Sequence, residues 1–307
     1  MSIRQSLRAY RLFINVFFVC YFLFLCSCSN KMDSKIAQNH EMLYRNIKEF
    51  VPDKTVIYKQ VGDIKLKLDI FFPPSHDLSL RKPAIVSFFG GGWSGGTIKH
   101  FYRQSEYWAS RGMVAICADY RVSSRHKAVP FECLKDAKSA IRWVRSHSKE
   151  LGVDPERIAA AGGSAGGQLA AATATIKKFN APDDNLEISC LPDALVLFNP
   201  VVDNGPNGYG YNRVKAYWKD FSPLHNLDEN FPPTIIFLGT KDSLIPVATA
   251  KKFKEIAESK GSRCDLFLYD GQKHGFFNYS ERHTPYFLQT LLESDRFLTS
   301  LGFLKEN

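Results

Sequence analysis

The 307-residue chain has no C-x-x-C pair and no histidine–cysteine pairing at zinc-ligand spacing, so its seven cysteines do not signal a metal site. It lacks a clustered basic patch and any aromatic–basic motif, which excludes a dedicated nucleic-acid surface despite a formal charge of +9. Lys and Arg are instead interspersed with Asp and Glu, as on a solvated surface. No internal repeat or low-complexity block interrupts it. Nor does any apolar run reach the about 20 residues that a comfortable membrane span needs.

The run that comes nearest, 12–25, follows Arg4, Arg8 and Arg11, the order of a charged and then an apolar region in a secretory signal. It closes in Leu25-Cys26-Ser27-Cys28, which resembles a bacterial lipobox ending at Cys28. Phe24 and Leu25 are too bulky to precede a cut at Cys26. The expectation is a lipoprotein-type signal peptide over 1–27, a polar tether over 28–50, and lipidation at Cys28. The protein would then be exported and lipid-anchored at a bacterial membrane, periplasmic or at the cell surface. Plain signal cleavage and an uncleaved anchor are the alternatives. Without the three leader arginines the charge is +6. Residues 51–307 suffice for one large α/β domain with a filled core. Of the cysteines left there (Cys117, Cys133, Cys190 and Cys264), Cys117 lies in an apolar strand and reads as core. Nothing selects a disulfide pair.

The stretch Arg157 to Gly167 organises the rest. It reads as a buried strand, a tight turn and then a helix (168–177), with Gly162-x-Ser164-x-Gly166 at the turn. That spacing is a nucleophile elbow: the serine sits on a strained strand-to-helix turn, and its neighbours two away must be tiny. A Gly-rich structural turn is the plainer alternative.

Around it, 55–61 and 64–71 read as strands joined at Gly62-Asp63, the second alternating apolar Ile64, Leu66, Leu68 and Ile70 with Lys65, Lys67 and Asp69 on a wet face. After Pro73-Pro74, short apolar runs at 84–89, 113–118, 157–162, 194–199, 234–239 and 265–269 alternate with helices. Such runs are strands buried on both faces, hence a doubly wound α/β domain with a mostly parallel sheet. Helices are expected near 130–150 and 285–301.

Four motifs stand at strand ends: Phe89-Gly90-Gly91-Gly92-Trp93, the Ser164 elbow, Asp242 just past 234–239, and His274 in the Gly-flanked loop after the last strand. Asp242 also suits a helix N-cap before Pro246, and His274 a surface loop. No other of the eight histidines sits in such a loop. With these motifs in this order, residues 50–305 resemble the α/β-hydrolases, specifically carboxylesterases of the hormone-sensitive-lipase-like and feruloyl/acetyl (acetylxylan) esterase kind. The resemblance implies a roughly eight-stranded sheet with helices on both faces and no large cap domain. It implies Ser164 as nucleophile, His274 as base and Asp242 as its orienting acid. The N–H groups of Gly91, Gly92 and Ala165 would form the oxyanion hole. Relatives usually carry histidine where Phe89 stands, a residue that orients the loop. Asp119-Tyr120-Arg121 matches a further family motif, read as an ion-paired structural turn; Gln168 stands where relatives often have histidine.

Between 200 and 233, Tyr209, Tyr211, Tyr217 and Trp218 mix with Asn204, Asn207 and Asn212, which suits sugar stacking and an ordinary packed loop alike. With Trp93 beside the oxyanion loop, Trp93, Tyr211 and Trp218 are the candidate substrate contacts. The expected activity is hydrolysis of short-chain, chiefly acetyl, esters, on a small molecule or plant polysaccharide, with no cofactor and no metal. Alternatives are a lipase-like esterase, a peptidase resembling the prolyl-oligopeptidase group, for whose propeller there is no room, and a non-catalytic binding module, which would usually have lost a triad member.

Overall fold

Alternation in β2 (Ile64–Phe71) buries Leu66, Leu68 and Ile70 while Lys65 and Lys67 face water. It pairs antiparallel with β1 (Lys54–Val61) and with β4 (Val114–Ala118). Asp69, expected on the wet face, is buried instead, because α1 (Tyr102–Ser110) covers that side. Its carboxylate accepts the hydroxyls of Thr55 (2.5 Å) and Tyr102 (2.6 Å), and a buried carboxylate requires such partners.

The computed structural model describes residues 49–280 and 283–306. Cys28, the signal peptide and the tether up to residue 48 lie outside them. Eight strands form one sheet in the order β1-β2-β4-β3-β5-β6-β7-β8. Here β3 is Lys82–Phe88, β5 Val153–Gly163, β6 Ala194–Phe198, β7 Thr234–Gly239 and β8 Cys264–Tyr269. From β4 to β8 all pairings are parallel. The apolar strands β4, β6 and β7 are buried on both faces, as their composition requires; β8, expected to be buried likewise, is the edge strand and leaves Leu268 exposed. Ala84, Val86, Phe88, Leu195, Leu197 and Ile236 point to one side. There they meet Leu134 and Ile141 of α2 (Pro130–Ser146), Leu169 of α3 (Ala165–Thr175) and Phe253 of α4 (Val247–Ser259). On the other side α1 joins α5 (Thr284–Ser300): Tyr107 and Arg111 bind Asp295, and the Trp108 indole donates to Ser294. Each fully buried aliphatic side chain contributes about 1.5–3 kcal/mol.

The chain runs from β3 outward to β4 and returns to β5 on the opposite side of β3. That reversal opens a crevice at the carboxyl ends of β3 and β5, the place where open α/β sheets bind ligands. Between β6 and β7 the chain forms only short turns, Tyr211–Val214, Trp218–Asp220 and Pro223–His225, and so builds no large cap there.

Candidate active site

One residue separates β5 from α3. Ser164 takes φ +56° and ψ −119°, a conformation rare for any residue with a Cβ. Such strain costs on the order of 1–3 kcal/mol and persists only when the surroundings impose it. They do so here: the Ser164 N–H donates to Phe198 O (2.9 Å), and its carbonyl accepts Gln168 N–H (3.0 Å) and Val201 N–H (3.1 Å). A Cβ on Gly162 would lie 2.2 Å from Gly166 O, and one on Gly166 would lie 2.1 Å from Phe88 O. The two glycines of the motif are therefore demanded by backbone packing. The turn raises the hydroxyl at the start of α3, whose amide end favours negative charge.

The structure brings Ser164, His274 and Asp242 together. His274 Nε2 lies 2.9 Å from Ser164 Oγ, and Nδ1 lies 2.7 Å from Asp242 Oδ2. The carboxylate only accepts, so Nδ1 carries the proton and Nε2 is left to accept from the hydroxyl. Asp242 Oδ1 takes the N–H groups of Leu244 (2.8 Å) and Ile245 (3.0 Å), which lead to Pro246 and α4. One carboxylate thus serves both readings the sequence left open, holding the turn with one oxygen and the histidine with the other. Its side chain is fully buried, whereas the imidazole is 22% exposed. Asn199, at the end of β6, accepts the Gly275 N–H (2.9 Å) and brings its own amide to within 3.4 Å of His274 Nε2.

Beyond β3, the loop from Gly90 to Gly96 lies against the elbow: a Cβ on Gly90 would be 3.1 Å from Gly163 O and 3.5 Å from Ser164 Cβ. Gly91, Gly92 and Trp93 all have positive φ. The Gly91 carbonyl accepts Ser94 N–H (3.0 Å) and Gly95 N–H (3.1 Å), and Phe89 O accepts the Tyr120 hydroxyl (2.6 Å). Gly90 N–H donates to His100 Nδ1 (3.0 Å). The Gly91 and Gly92 N–H groups have no acceptor among the described residues. Ala165, which follows Ser164, opens α3.

Trp93 departs from its expected role. It is 1% exposed, its indole donates to Gln168 Oε1 (3.2 Å), and its ring packs on Tyr209 and Phe221. It braces the loop from inside and has no face for a substrate. Gln168, from which the sequence yields nothing, passes the contact on to Phe221 O (3.1 Å). Arg213 lies over Trp93 and Tyr209 and donates to Gly92 O. Tyr211 and Trp218 are half-buried and pack edge-on against each other; Trp218 also abuts His225. Neither ring packs on a triad residue. In the Asp119-Tyr120-Arg121 turn, Arg121 pairs with Asp136 (2.7 Å) and Asp119 with Arg125 (3.2 Å), while Tyr120 reaches the loop. Burial pushes the Asp119 carboxyl above the usual carboxylate range, with Arg125 opposing. Cys117, Cys133 and Cys264 are buried thiols, and Cys190 is a half-buried one. Among the described residues no group of three His, Cys, Asp or Glu could hold a metal.

His100, Asn278, Asn199 and Arg213 were not anticipated. Chain order excludes His100 as the base, and only tertiary contact reveals its other use.

A serine, histidine and aspartate joined in this order at the carboxyl edge of such a sheet define the α/β-hydrolase class. Residues 68–206 match the BD-FAE family and 208–292 the dienelactone hydrolase family. Esterase 2 of Thermogutta terrifontis, solved with propionate bound, is 43% identical, with a TM-score of 0.79 over 83% of this chain and 96% of that one. The same esterase with butyrate bound is 42% identical at the same TM-score, over 83% and 96%. The probable carboxylic ester hydrolase LipM of Mycobacterium tuberculosis is 26% identical over 69% of this chain and 53% of its own. The acetylxylan esterase of Xylanibacter ruminicola is 24% identical over 63% and 41%. The chain spans about half the length of these curated relatives. It belongs to the esterases of the α/β-hydrolase fold.

Proposed function

We propose that the protein is a serine carboxylesterase that cleaves short-chain acyl esters, acetyl to butyryl, of a polar alcohol such as a sugar hydroxyl. The hydrogen-bonded line from Ser164 Oγ through His274 to Asp242, at 2.9 and 2.7 Å, carries this reading. His274 Nε2 takes the hydroxyl proton as Oγ attacks the acyl carbonyl, and Asp242 steadies the resulting imidazolium. The tetrahedral oxyanion lies against the N–H groups of Gly91, Gly92 and Ala165. Collapse expels the alcohol, which leaves with the proton from His274 and gives the acyl-enzyme. Water, deprotonated by the same ring, then attacks and frees the acid and Ser164.

The acyl range is supported by one relative, the Thermogutta terrifontis esterase 2, solved with propionate and with butyrate bound. A polar alcohol is supported by the rim around Gly92, where Arg213, Ser94 and the Tyr209 hydroxyl converge, and by the acetylxylan esterase among the relatives. Export on a lipid anchor at Cys28 belongs to the same reading and rests on the leader residues alone; Cys28→Ser should leave the membrane fraction. The deciding test is a p-nitrophenyl ester series, acetate to palmitate, beside acetylated xylan and a long-chain triglyceride. Turnover falling steeply after butyrate, release of acetate from xylan and no turnover by Ser164→Ala are expected. Preference for the triglyceride would sink the substrate assignment.

A further inference from the structure

Phe89 directly precedes the three glycines of the oxyanion loop. Its ring is buried and stacks on Tyr120, 4.0 Å between centroids, and it can accept no hydrogen bond from the loop in the plane of the ring. The loop amide next to it, Gly90 N–H, instead finds a histidine ten residues further on. His100 belongs to the short turn Ile98–Phe101. Its Nδ1 accepts Gly90 N–H at 3.0 Å, so Nε2 carries the proton and donates to Asn278 Oδ1 at 2.5 Å. Asn278 then gives both its backbone N–H (3.0 Å) and its side-chain amide (2.9 Å) to Gly275 O. Gly275 is the residue after His274, and its own N–H is held by Asn199.

We propose that His100 is a positioning residue that ties the oxyanion loop to the loop of the catalytic histidine, and that only its neutral ring can do so. The proposal rests on the esterase reading above. The link matters because the two loops must be aligned with each other as well as with Ser164: one presents donors to the developing oxyanion, the other the base to the hydroxyl. Misplacement there weakens an interaction made chiefly in the transition state, so kcat should suffer rather than KM. Protonation of His100 would turn Nδ1 into a donor facing the Gly90 N–H and break the tie.

The surroundings keep the ring neutral. Gly90, Phe101, Phe277 and Asn278, which face it from the three elements packed around it, carry no charge. Along the chain, Lys99 is exposed and Arg103 lies over the rings of Tyr279 and Phe50. The other titratable group on this network is His274, reached through Asn278 and Gly275. Burial holds the His100 pKa below that of a free imidazole, with the Asn278 bond opposing. The ring is therefore neutral above its lowered pKa and charges only as pH falls through it. Protonation of His100 should then add its own loss of kcat at the acid end of the profile.

The test uses the full chain with p-nitrophenyl acetate, measuring kcat and KM across the acid limb together with thermal melts. His100→Phe should lower kcat by about 10- to 100-fold, less than or similar to the loss of one oxyanion donor, with KM nearly unchanged. His100→Gln has a neutral amide that can accept from Gly90 and donate to Asn278; it should restore most of kcat and remove the loss at the acid end that protonation of His100 adds. Asn278→Ala should resemble His100→Phe, and the double variant should be no worse than either single one, as expected for one shared network. If His100→Phe folds poorly, His100→Gln and Asn278→Ala still decide. An unchanged kcat in the Phe or Ala variants, or an acid limb in His100→Gln that superposes on the wild type, overturns the proposal; so does a lowered melt without a change in kcat. Failure of the parent reading looks different: the wild type itself would be inert and indistinguishable from Ser164→Ala.

Discussion

The nucleophile elbow and the oxyanion loop lie against each other, a Cβ on Gly90 falling 3.1 Å from Gly163 O, yet they are held by different means. The elbow is held by backbone alone: Gly162 and Gly166 leave no room for a Cβ, and three main-chain hydrogen bonds, one within the elbow and two to the end of β6 and the residues after it, fix Ser164. The oxyanion loop is held from outside. Tyr120 grips Phe89 O, His100 takes Gly90 N–H, Gln168 fastens Trp93, and Arg213 reaches Gly92 O. A local motif can specify the first arrangement. The second needs four side chains from four segments, so its failures should be graded where those of the elbow and triad are abrupt.

The largest effects therefore belong to the triad. Ser164→Ala should lose about 10⁴- to 10⁶-fold in kcat with an unchanged melting curve, since the residual rate comes from binding and the oxyanion donors alone. Asp242→Asn should lose about 10³- to 10⁴-fold. Its side-chain oxygen can still receive the Leu244 and Ile245 N–H groups, so the turn survives. The amide that replaces Oδ2 cannot accept from Nδ1, however, and the ring is left in the wrong tautomer. Kinetics on p-nitrophenyl acetate beside urea melts checks both; a large melt shift in Asp242→Asn would mean that the carboxylate matters more to the turn than to the histidine.

Support of the oxyanion loop predicts smaller losses. Tyr120→Phe removes the buried hydroxyl from Phe89 O and leaves that carbonyl unpaired, which costs about 1–3 kcal/mol of stability. Because three other supports remain, kcat should drop only about tenfold, well short of a deleted oxyanion donor. A loss as great as that of Asp242→Asn would erase the contrast between a locally built elbow and a jointly supported loop.

The same contrast explains what could be read in the chain. All eight strands were legible because apolar runs and turn residues are local signals, and so was the elbow, whose G-x-S-x-G spacing lies within five residues, although only Gly162 collides inside it and Gly166 is demanded by Phe88 O. Asp242 and His274 were legible because each directly follows a strand, and parallel strands deliver their ends to one edge. What packs behind that edge was not. Trp93 looked like a wall of the substrate site because it adjoins the glycines, but positive φ there turns the ring inward, onto Gln168. Asp69 looked wet from its alternation and is covered by α1. Gln168 and His100 have no spacing that announces them; Gln168 binds Phe221 O 53 residues away, and His100 binds Asn278 178 residues away.

Arg213 marks the weak end of the comparison. It is exposed, and its guanidinium joins Gly92 O, Ser94 Oγ and the faces of Trp93 and Tyr209. Exposed ionic contacts contribute about 0.2–1 kcal/mol, so Arg213→Lys, which keeps the charge but loses the planar fork, should lower kcat/KM by no more than about two- to fivefold. Screening acts on what the lysine retains as well as on the arginine, so high salt should shrink the rates of both and narrow the difference between them only slightly. The informative quantity is the alcohol. If Arg213 serves only Gly92 O, the deficit will be the same for p-nitrophenyl acetate and for acetylated xylan. If its remaining donors also meet hydroxyls of the leaving group, the xylan deficit will be the larger, and the outermost support of the loop will prove to be its point of contact with the substrate.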